Sequence, residues 1–108
     1  MRKTTETDLV RVCLTWLQLT HPTGVWWRAN TGCHVVPATR NSARRYLRFG
    51  VPGMSDIQGV LNGYAVFIEC KSATGQLSSP QKCFKFLVEQ AKAKYILVRS
   101  LSDLEKEL

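Results

Sequence analysis

Acidic residues are scarce in this chain, which narrows the choice of partners. Eight Asp and Glu residues stand against 15 Lys and Arg, so the net charge is +7. No acidic residue lies between Leu9 and Ser55, and that stretch holds Arg11, Arg28, Arg40, Arg44, Arg45 and Arg48. Clustered guanidiniums bind phosphate in a bidentate way and release condensed counterions, so we expect a phosphate-rich partner. A basic surface that only confers solubility is the alternative.

Long hydrophobic runs and paired cysteines are also missing. No stretch reaches the roughly 18 apolar residues of a membrane-spanning helix, and the N-terminus lacks the apolar core of a signal peptide. We therefore expect a soluble cytoplasmic protein with no membrane partner. The cysteines are far apart, which argues against a zinc knuckle or a redox motif and favours buried thiols: Cys13, Cys33, Cys70 and Cys83.

The length of 108 residues bounds the domain organisation. It supports one hydrophobic core and leaves too little chain for a second. Apolar residues make up 44% of the sequence, enough to offset the conformational entropy lost on folding. We expect one compact domain over residues 1–108.

The first half of the chain predicts a helix, a strand and a loop. Apolar residues recur at helical spacing from Thr5 to Leu19, where Thr5 and Asp8 resemble a capping box. Aromatic and β-branched residues predict a strand over Val25–Asn30. The segment Cys33–Ser55 has no clear periodicity, so we expect a long basic loop with a helical turn around residues 42–48.

The second half begins with the clearest signal, a hairpin. Asn62-Gly63 separates the apolar segments Asp56–Leu61 and Tyr64–Lys71, which is the typical sequence of a tight turn between two strands. Ser79-Pro80 then predicts the start of a helix. The buried stripe of this helix is expected at Phe84, Leu87, Val88 and Ala91. A strand is expected next at Tyr95–Val98, and Ser102 would cap a last helical segment. The order α, β, β, β, α, β, α indicates an α/β fold with a mixed sheet flanked by helices.

The hairpin brings two acids and one base together. A two-residue turn at Asn62-Gly63 pairs residues whose numbers sum to 125, which sets Asp56 opposite Glu69. Lys71 lies two residues beyond Glu69 and so on the same sheet face. Two opposed carboxylates repel each other and need a compensating cation. A bulge at Gly59 would shift this pairing by one residue.

Such a group of residues is suited to metal-assisted hydrolysis. Few oxygen ligands are typical of Mg²⁺ or Mn²⁺, whose other positions are filled by water and substrate phosphate. Lys71 would orient the attacking water or stabilise the charge of the transition state. An exposed cluster of Asp56, Glu69 and Lys71 that forms only surface ion pairs is the alternative.

These residues resemble a known family. Gly53-x-x-Asp56, the hairpin and then Glu69-Cys70-Lys71 are similar to the signature of PD-(D/E)XK nucleases, although Ser55 stands where proline is frequent. A leading helix with Glu6, and two further segments, resemble the virus-type replication-repair nuclease (VRR-NUC) branch. The segments are Arg28-Ala29-Asn30-Thr31-Gly32 and Gln76-Leu77-Ser78-Ser79-Pro80-Gln81. The resemblance extends from Glu6 to about Arg99.

The resemblance implies a restriction-endonuclease-like αβββαβ core and phosphodiester hydrolysis with Mg²⁺ or Mn²⁺. Stand-alone phage-type members of the family act on structured DNA such as Holliday junctions. Carried over by position, Asp56 and Glu69 bind the metal, with the Cys70 carbonyl as a third ligand, and Lys71 is the catalytic base. Gln81 and Glu6 support the site; a helix cap and a favourable helix dipole are their alternative roles.

The hypothesis is therefore a DNA endonuclease. Its loop from Arg40 to Arg48, together with Arg28, would hold the DNA backbone, with Arg44 and Arg45 in the middle of that loop. Cleavage of a symmetric junction needs two active sites, so we expect a homodimer. A non-catalytic basic module that binds nucleic acid and an RNA-directed nuclease on the same fold are the other hypotheses.

Overall fold

A computed structural model describes residues 5–29 and 32–108, with the side chains of all of these except 32–34 and 47–49. The predicted strand end at Asn30 lies outside the described residues. The elements in the described ranges are α1 (Glu6–Thr20), β1 (Val25–Arg28), β2 (Gly32–Val36), β3 (Arg45–Phe49), β4 (Ile57–Leu61), β5 (Tyr64–Cys70), α2 (Ser79–Gln90), β6 (Lys94–Val98) and α3 (Leu101–Glu107).

A four-stranded mixed sheet forms the centre of the molecule. Its order is β1-β4-β5-β6, and only the β5–β6 pair is parallel. The predicted tight turn is confirmed, because Asn62 (φ 52°) and Gly63 (φ 83°) both adopt positive φ between β4 and β5. The register is also as predicted, with Ile57 opposite Ile68 and Gly59 opposite Val66, so no bulge shifts the hairpin.

Helices cover both faces of this sheet, which confirms the expected α/β class and the mixed sheet. The main core lies between α1, α3 and one face of the sheet: Leu9, Val10, Cys13, Leu17, Trp26, Ile57, Val66, Ile68, Cys70, Ile96, Val98 and Leu104. On the other face, Phe84 of α2 contacts Phe67 edge-on, with ring centroids 5.3 Å apart. Within the described chain, no helix is both long enough and apolar enough to span a membrane.

The helices begin close to their predicted positions. The capping box of Thr5 and Asp8 at α1 is confirmed. The cap of α2 is Ser78 rather than Ser79, because the Ser78 hydroxyl accepts the Gln81 amide. Likewise Ser100, not Ser102, caps α3.

Two predictions of burial are corrected by the structure. Leu87 is 56% exposed and Ala91 is exposed, because α2 packs mainly against the edge strand β6 and buries only a narrow stripe centred on Phe84. Cys13 and Cys70 are buried as expected, whereas Cys83 on α2 is exposed for the same reason. The side chain of Cys33 is outside the described part.

The segment 33–55 is not the predicted loop with a helical turn. Its strands β2 and β3 form an antiparallel two-stranded sheet, with Val35 opposite Tyr46, and Thr39 and Ser42 pair at the closed end. The prediction was wrong because β2 and β3 obtain their backbone hydrogen bonds from each other. Val35, Arg45 and Tyr46 are exposed, and strands with exposed side chains need no apolar periodicity, so the sequence carried a weak signal.

Candidate functional site

The predicted acids and base meet at one end of the central sheet. Asp56 lies one residue before β4, Glu69 lies in β5, and Lys71 follows the end of β5. The two strands run antiparallel, so the start of β4 and the end of β5 lie at the same end of the sheet. The convergence of these three residues therefore follows from the hairpin and its register.

Asp56 is bound on both sides by the ends of neighbouring strands. Its carbonyl accepts the Ala29 amide after β1 at 2.8 Å, and its side-chain Oδ2 accepts the Cys70 amide of β5 at 2.8 Å. The backbone ladder of the hairpin ends at Ile57 and Ile68, so Asp56 reaches β5 through its carboxylate. This hydrogen bond holds the Asp56 side chain beside Glu69.

Glu69 is a buried acid with one unsatisfied oxygen. Its residue is only 3% exposed. Oε1 accepts the Gln81 Nε2 at 3.0 Å and lies 3.9 Å from the Lys71 ammonium, whereas Oε2 is buried without any hydrogen-bond partner in the described structure. A buried carboxylate oxygen without a donor is costly, and a bound ion or a catalytic role is one explanation of such a group.

The electrostatics of Glu69 reflect this environment. Burial, followed by the charge of the neighbouring Asp56, raises the pKa of Glu69 to about 8, and the Lys71 ammonium offsets only part of that rise. Near neutral pH the metal-free Glu69 therefore stays mostly protonated beside the charge of Asp56. Ionising both acids at once needs more positive charge than Lys71 provides, and a bound cation would supply that charge.

Gln81 joins helix α2 to this pair. Its Oε1 accepts the Ser78 amide at 2.8 Å, and its Nε2 donates to Glu69. The two roles that the sequence left as alternatives, a helix cap and support of the site, are thus performed by the two ends of one amide.

A close backbone contact fixes the start of α2. Gly53 has φ +74°, and a Cβ at this position would lie 2.1 Å from the Pro80 carbonyl oxygen. Only glycine permits the turn before Asp56 to contact the first turn of α2. Gly53 therefore sets the position of Gln81 relative to the acids.

Lys71 lines a cavity of about 400 Å³, whereas neither Asp56 nor Glu69 lines it. Its side chain is 13% exposed. Glu6 and Arg99 line the same cavity. Glu6 accepts the Ser72 amide at 3.1 Å, but in the described residues no hydrogen bond joins it to Asp56 or Glu69. Glu6 thus reaches the loop after β5 and not the carboxylate pair itself.

Arg99 is a residue of this region that the sequence did not indicate. Its Nη1 donates to the carbonyls of Ser72 at 2.5 Å and Gly75 at 2.8 Å. Arg99 follows β6, and the parallel pairing of β5 with β6 brings both strand ends to one edge of the sheet. The place of Arg99 near this site follows from the position of β6 in the sheet, and the local sequence does not predict that position.

The carboxylates of Asp56 and Glu69 are suitable ligands for a hard divalent cation, but they do not form a complete coordination shell. Among the side chains that are described, no three His, Cys, Asp or Glu residues group to hold an ion. Mg²⁺ needs no more than one or two carboxylates, since it keeps several waters and shares substrate phosphate. The Cys70 side chain is 1% exposed and packs in the core, so only its backbone carbonyl is available as a further ligand.

The predicted DNA-binding arginines are distributed over two regions. Arg28 is exposed at the end of β1, next to Ala29, which binds Asp56. The exposed Arg40, Arg44 and Arg45 lie on the β2–β3 hairpin. The backbone of Arg48 belongs to β3, and its side chain is outside the described part.

No protein-family model matches this chain, and no curated protein matches it. The geometry of the site and the motifs of the sequence therefore carry the functional conclusion.

Proposed function

We propose that this protein is a divalent-metal-dependent DNA endonuclease, with its active site at Asp56, Glu69 and Lys71. The observation that carries the proposal is the buried Glu69 Oε2, which accepts no hydrogen bond from any residue that the structure describes and lies beside a second acid. A purely structural pair would be expected to satisfy both oxygens. A site for a cation accounts for the unsatisfied oxygen and for the repulsion between the acids.

Asp56 and Glu69 would bind Mg²⁺ or Mn²⁺, with the Cys70 carbonyl as a further ligand. When bound, the cation supplies polarisation of the phosphoryl oxygen and a lower pKa for a water molecule. The buried oxygens fit a hard cation, which prefers oxygen ligands.

The chain's own groups prepare the site. The Cys70 amide and the Gln81 amide group fix one oxygen of each acid, so the carboxylates are oriented before a substrate arrives. The Lys71 ammonium, held close to Glu69, would orient the attacking water or stabilise negative charge on the phosphate. Glu6 and Arg99 would hold the loop after β5, and with it Lys71, in place.

The fold supports a finer assignment. When the β2–β3 hairpin is set aside, the order of elements is α1, β1, β4, β5, α2, β6, which agrees with the αβββαβ order of restriction-endonuclease-like cores. Together with the motifs around Asp56 and Lys71, this order supports a place in the VRR-NUC branch. We extend the proposal to branched DNA as substrate and to a homodimer as the acting species.

The proposal is tested by cleavage of labelled DNA. We expect a four-way junction to be cut with Mg²⁺ or Mn²⁺ and to remain intact in EDTA. A linear duplex and a single strand of the same sequence serve as matched substrates, and we expect slower cleavage of both. Cleavage that persists in EDTA, or no cleavage of any DNA with either metal, would contradict the proposal.

A further inference from the structure

The β2–β3 hairpin, residues 32–49, is here called the basic arm. Its strands contact each other, and neither has a substantial contact with the helices or the central sheet in the described residues. The molecule measures 55 × 40 × 27 Å and its radius of gyration is 16.3 Å. A compact chain of this length would have a radius of gyration of about 13 Å. The basic arm therefore extends away from the domain.

An isolated two-stranded sheet is marginally stable in water, so a partner surface is expected to hold the arm. Val35 is 37% exposed and Tyr46 is 61% exposed, although they oppose each other across the strands. Where the structure describes the chain, no salt bridge involves an arginine of the arm. Val35 and Tyr46 are therefore available to a ligand, as are the exposed arginines of the arm.

The charge of the arm indicates what that ligand is. Arg40, Arg44 and Arg45 are exposed, and the Arg44 guanidinium lies 5.4 Å from the centre of the Tyr46 ring. No acidic residue occurs in the arm, and the sequence has none from Leu9 to Ser55. Such a surface is complementary to a polyanion, and guanidinium is the side-chain group best suited to phosphate.

The shape of the arm selects among polyanions. Two paired strands lie about 4.8 Å apart, so the ribbon with its side chains is roughly 10 Å wide. The major groove of B-form DNA is about 12 Å wide and admits such a ribbon. The major groove of A-form RNA is too deep and narrow for side chains to enter, and a single strand has no groove.

We propose that the basic arm, which lies in the sequence between the hydrogen-bonded residues Ala29 and Asp56, seats in the major groove of B-form duplex DNA near the cleavage site and thereby restricts the substrate to duplex DNA. This inference rests on the proposed function, because it specifies the nucleic acid on which the same site acts. It replaces the expectation from the sequence that a basic loop holds the DNA backbone.

The test compares binding in EDTA, where cleavage does not occur. Fluorescence anisotropy would measure affinity for a 20-base-pair DNA duplex, the RNA duplex of the same sequence and the single DNA strand, each over a range of salt. We expect the wild type to bind the DNA duplex at least about tenfold more tightly than the others. Arg44→Gln with Arg45→Gln should remove this preference and reduce the salt slope by about 1–2. Lys82→Gln with Lys106→Gln, which removes equal charge from exposed helix positions, should retain the preference.

A second experiment tests whether the arm binds in the major or the minor groove. A duplex whose pyrimidines carry bulky 5-position substituents has an obstructed major groove, and we expect wild-type affinity for it to fall at least about tenfold. The arm variant should bind the plain and the substituted duplex equally. The inference would be overturned if a minor-groove ligand competed with the protein and the 5-position substituents had no effect. It would also be overturned if the arm variant lost the same affinity for DNA duplex, RNA duplex and single strand.

The inference and the proposed function fail in different ways. If the wild type cleaves DNA with metal but the arm variant keeps full affinity and duplex preference, the role of the arm is refuted and the nuclease proposal stands. If the duplex preference depends on the arm but no DNA is cleaved, the nuclease proposal is refuted and the role of the arm stands. If the arm variant changed the oligomeric state in sedimentation but not DNA binding, the arm would be an interface between copies, which also overturns the inference.

Discussion

Asp56→Asn should abolish metal-dependent cleavage, with a loss in rate of about 10³-fold or more. The amide keeps the size of the carboxylate and its oxygen can still accept the Cys70 amide, so the local fold should be preserved. What disappears is the negative charge that binds the cation, and a bound cation contributes several kcal/mol, each 1.36 kcal/mol being tenfold in rate. Single-turnover cleavage of the junction in Mn²⁺ measures the effect.

The control for this variant is Glu105→Gln, which removes one negative charge from an exposed position of α3. It should cut at the wild-type rate, and both variants should bind DNA. If Asp56→Asn cut the junction as fast as Glu105→Gln does, Asp56 would have no part in the chemistry.

Glu69→Gln should stabilise the metal-free protein at alkaline pH. The pKa of Glu69 is about 8 in the folded chain and 4.5 for the free side chain. The folded state therefore binds more protons between these values, and its free energy of unfolding falls as the pH rises from about 4.5 through about 8. Above pH 8 the carboxylate is charged and the whole penalty is present, at most roughly 5 kcal/mol. A neutral amide avoids it and can still accept from Gln81.

Thermal unfolding in EDTA at pH 5 and at pH 8.5 measures this effect. Half of the maximum penalty would raise the Tm of Glu69→Gln above wild type by about 10 °C at pH 8.5. The loss of the contact with Lys71 offsets part of the gain. At pH 5 the wild-type acid is protonated and the two Tm values should nearly coincide. Glu105→Gln again serves as the control, and a Glu69→Gln protein less stable than wild type at pH 8.5 would show that the acid is structural.

Local sequence was enough to predict the hairpin and the meeting of its acids. The Asn62-Gly63 turn fixes the register, because Asn-Gly is one of the few pairs that readily take two positive φ angles in succession. The register in turn brings Asp56 to Glu69 and places Lys71 on the same face. These relations depend on residues close in sequence, which is why the prediction succeeded.

Contacts between distant segments were beyond such a prediction. The approach of Gly53 to Pro80 and the parallel pairing that brings Arg99 to the loop after β5 depend on how α2 and β6 pack. The basic arm was missed for a different reason. The described side chains of its strands are mostly exposed, and neither apolar alternation nor a turn glycine marks the strands. The lack of periodicity therefore suggested a basic loop.

Direct titration of Mn²⁺ tests the central claim, that Asp56 and Glu69 together bind a divalent cation. Calorimetry at pH 8 should show saturable binding to the wild type and to Lys71→Met, because lysine is not a ligand, and none at the same site in Asp56→Asn. Equal Mn²⁺ binding by the wild type and Asp56→Asn would contradict the account.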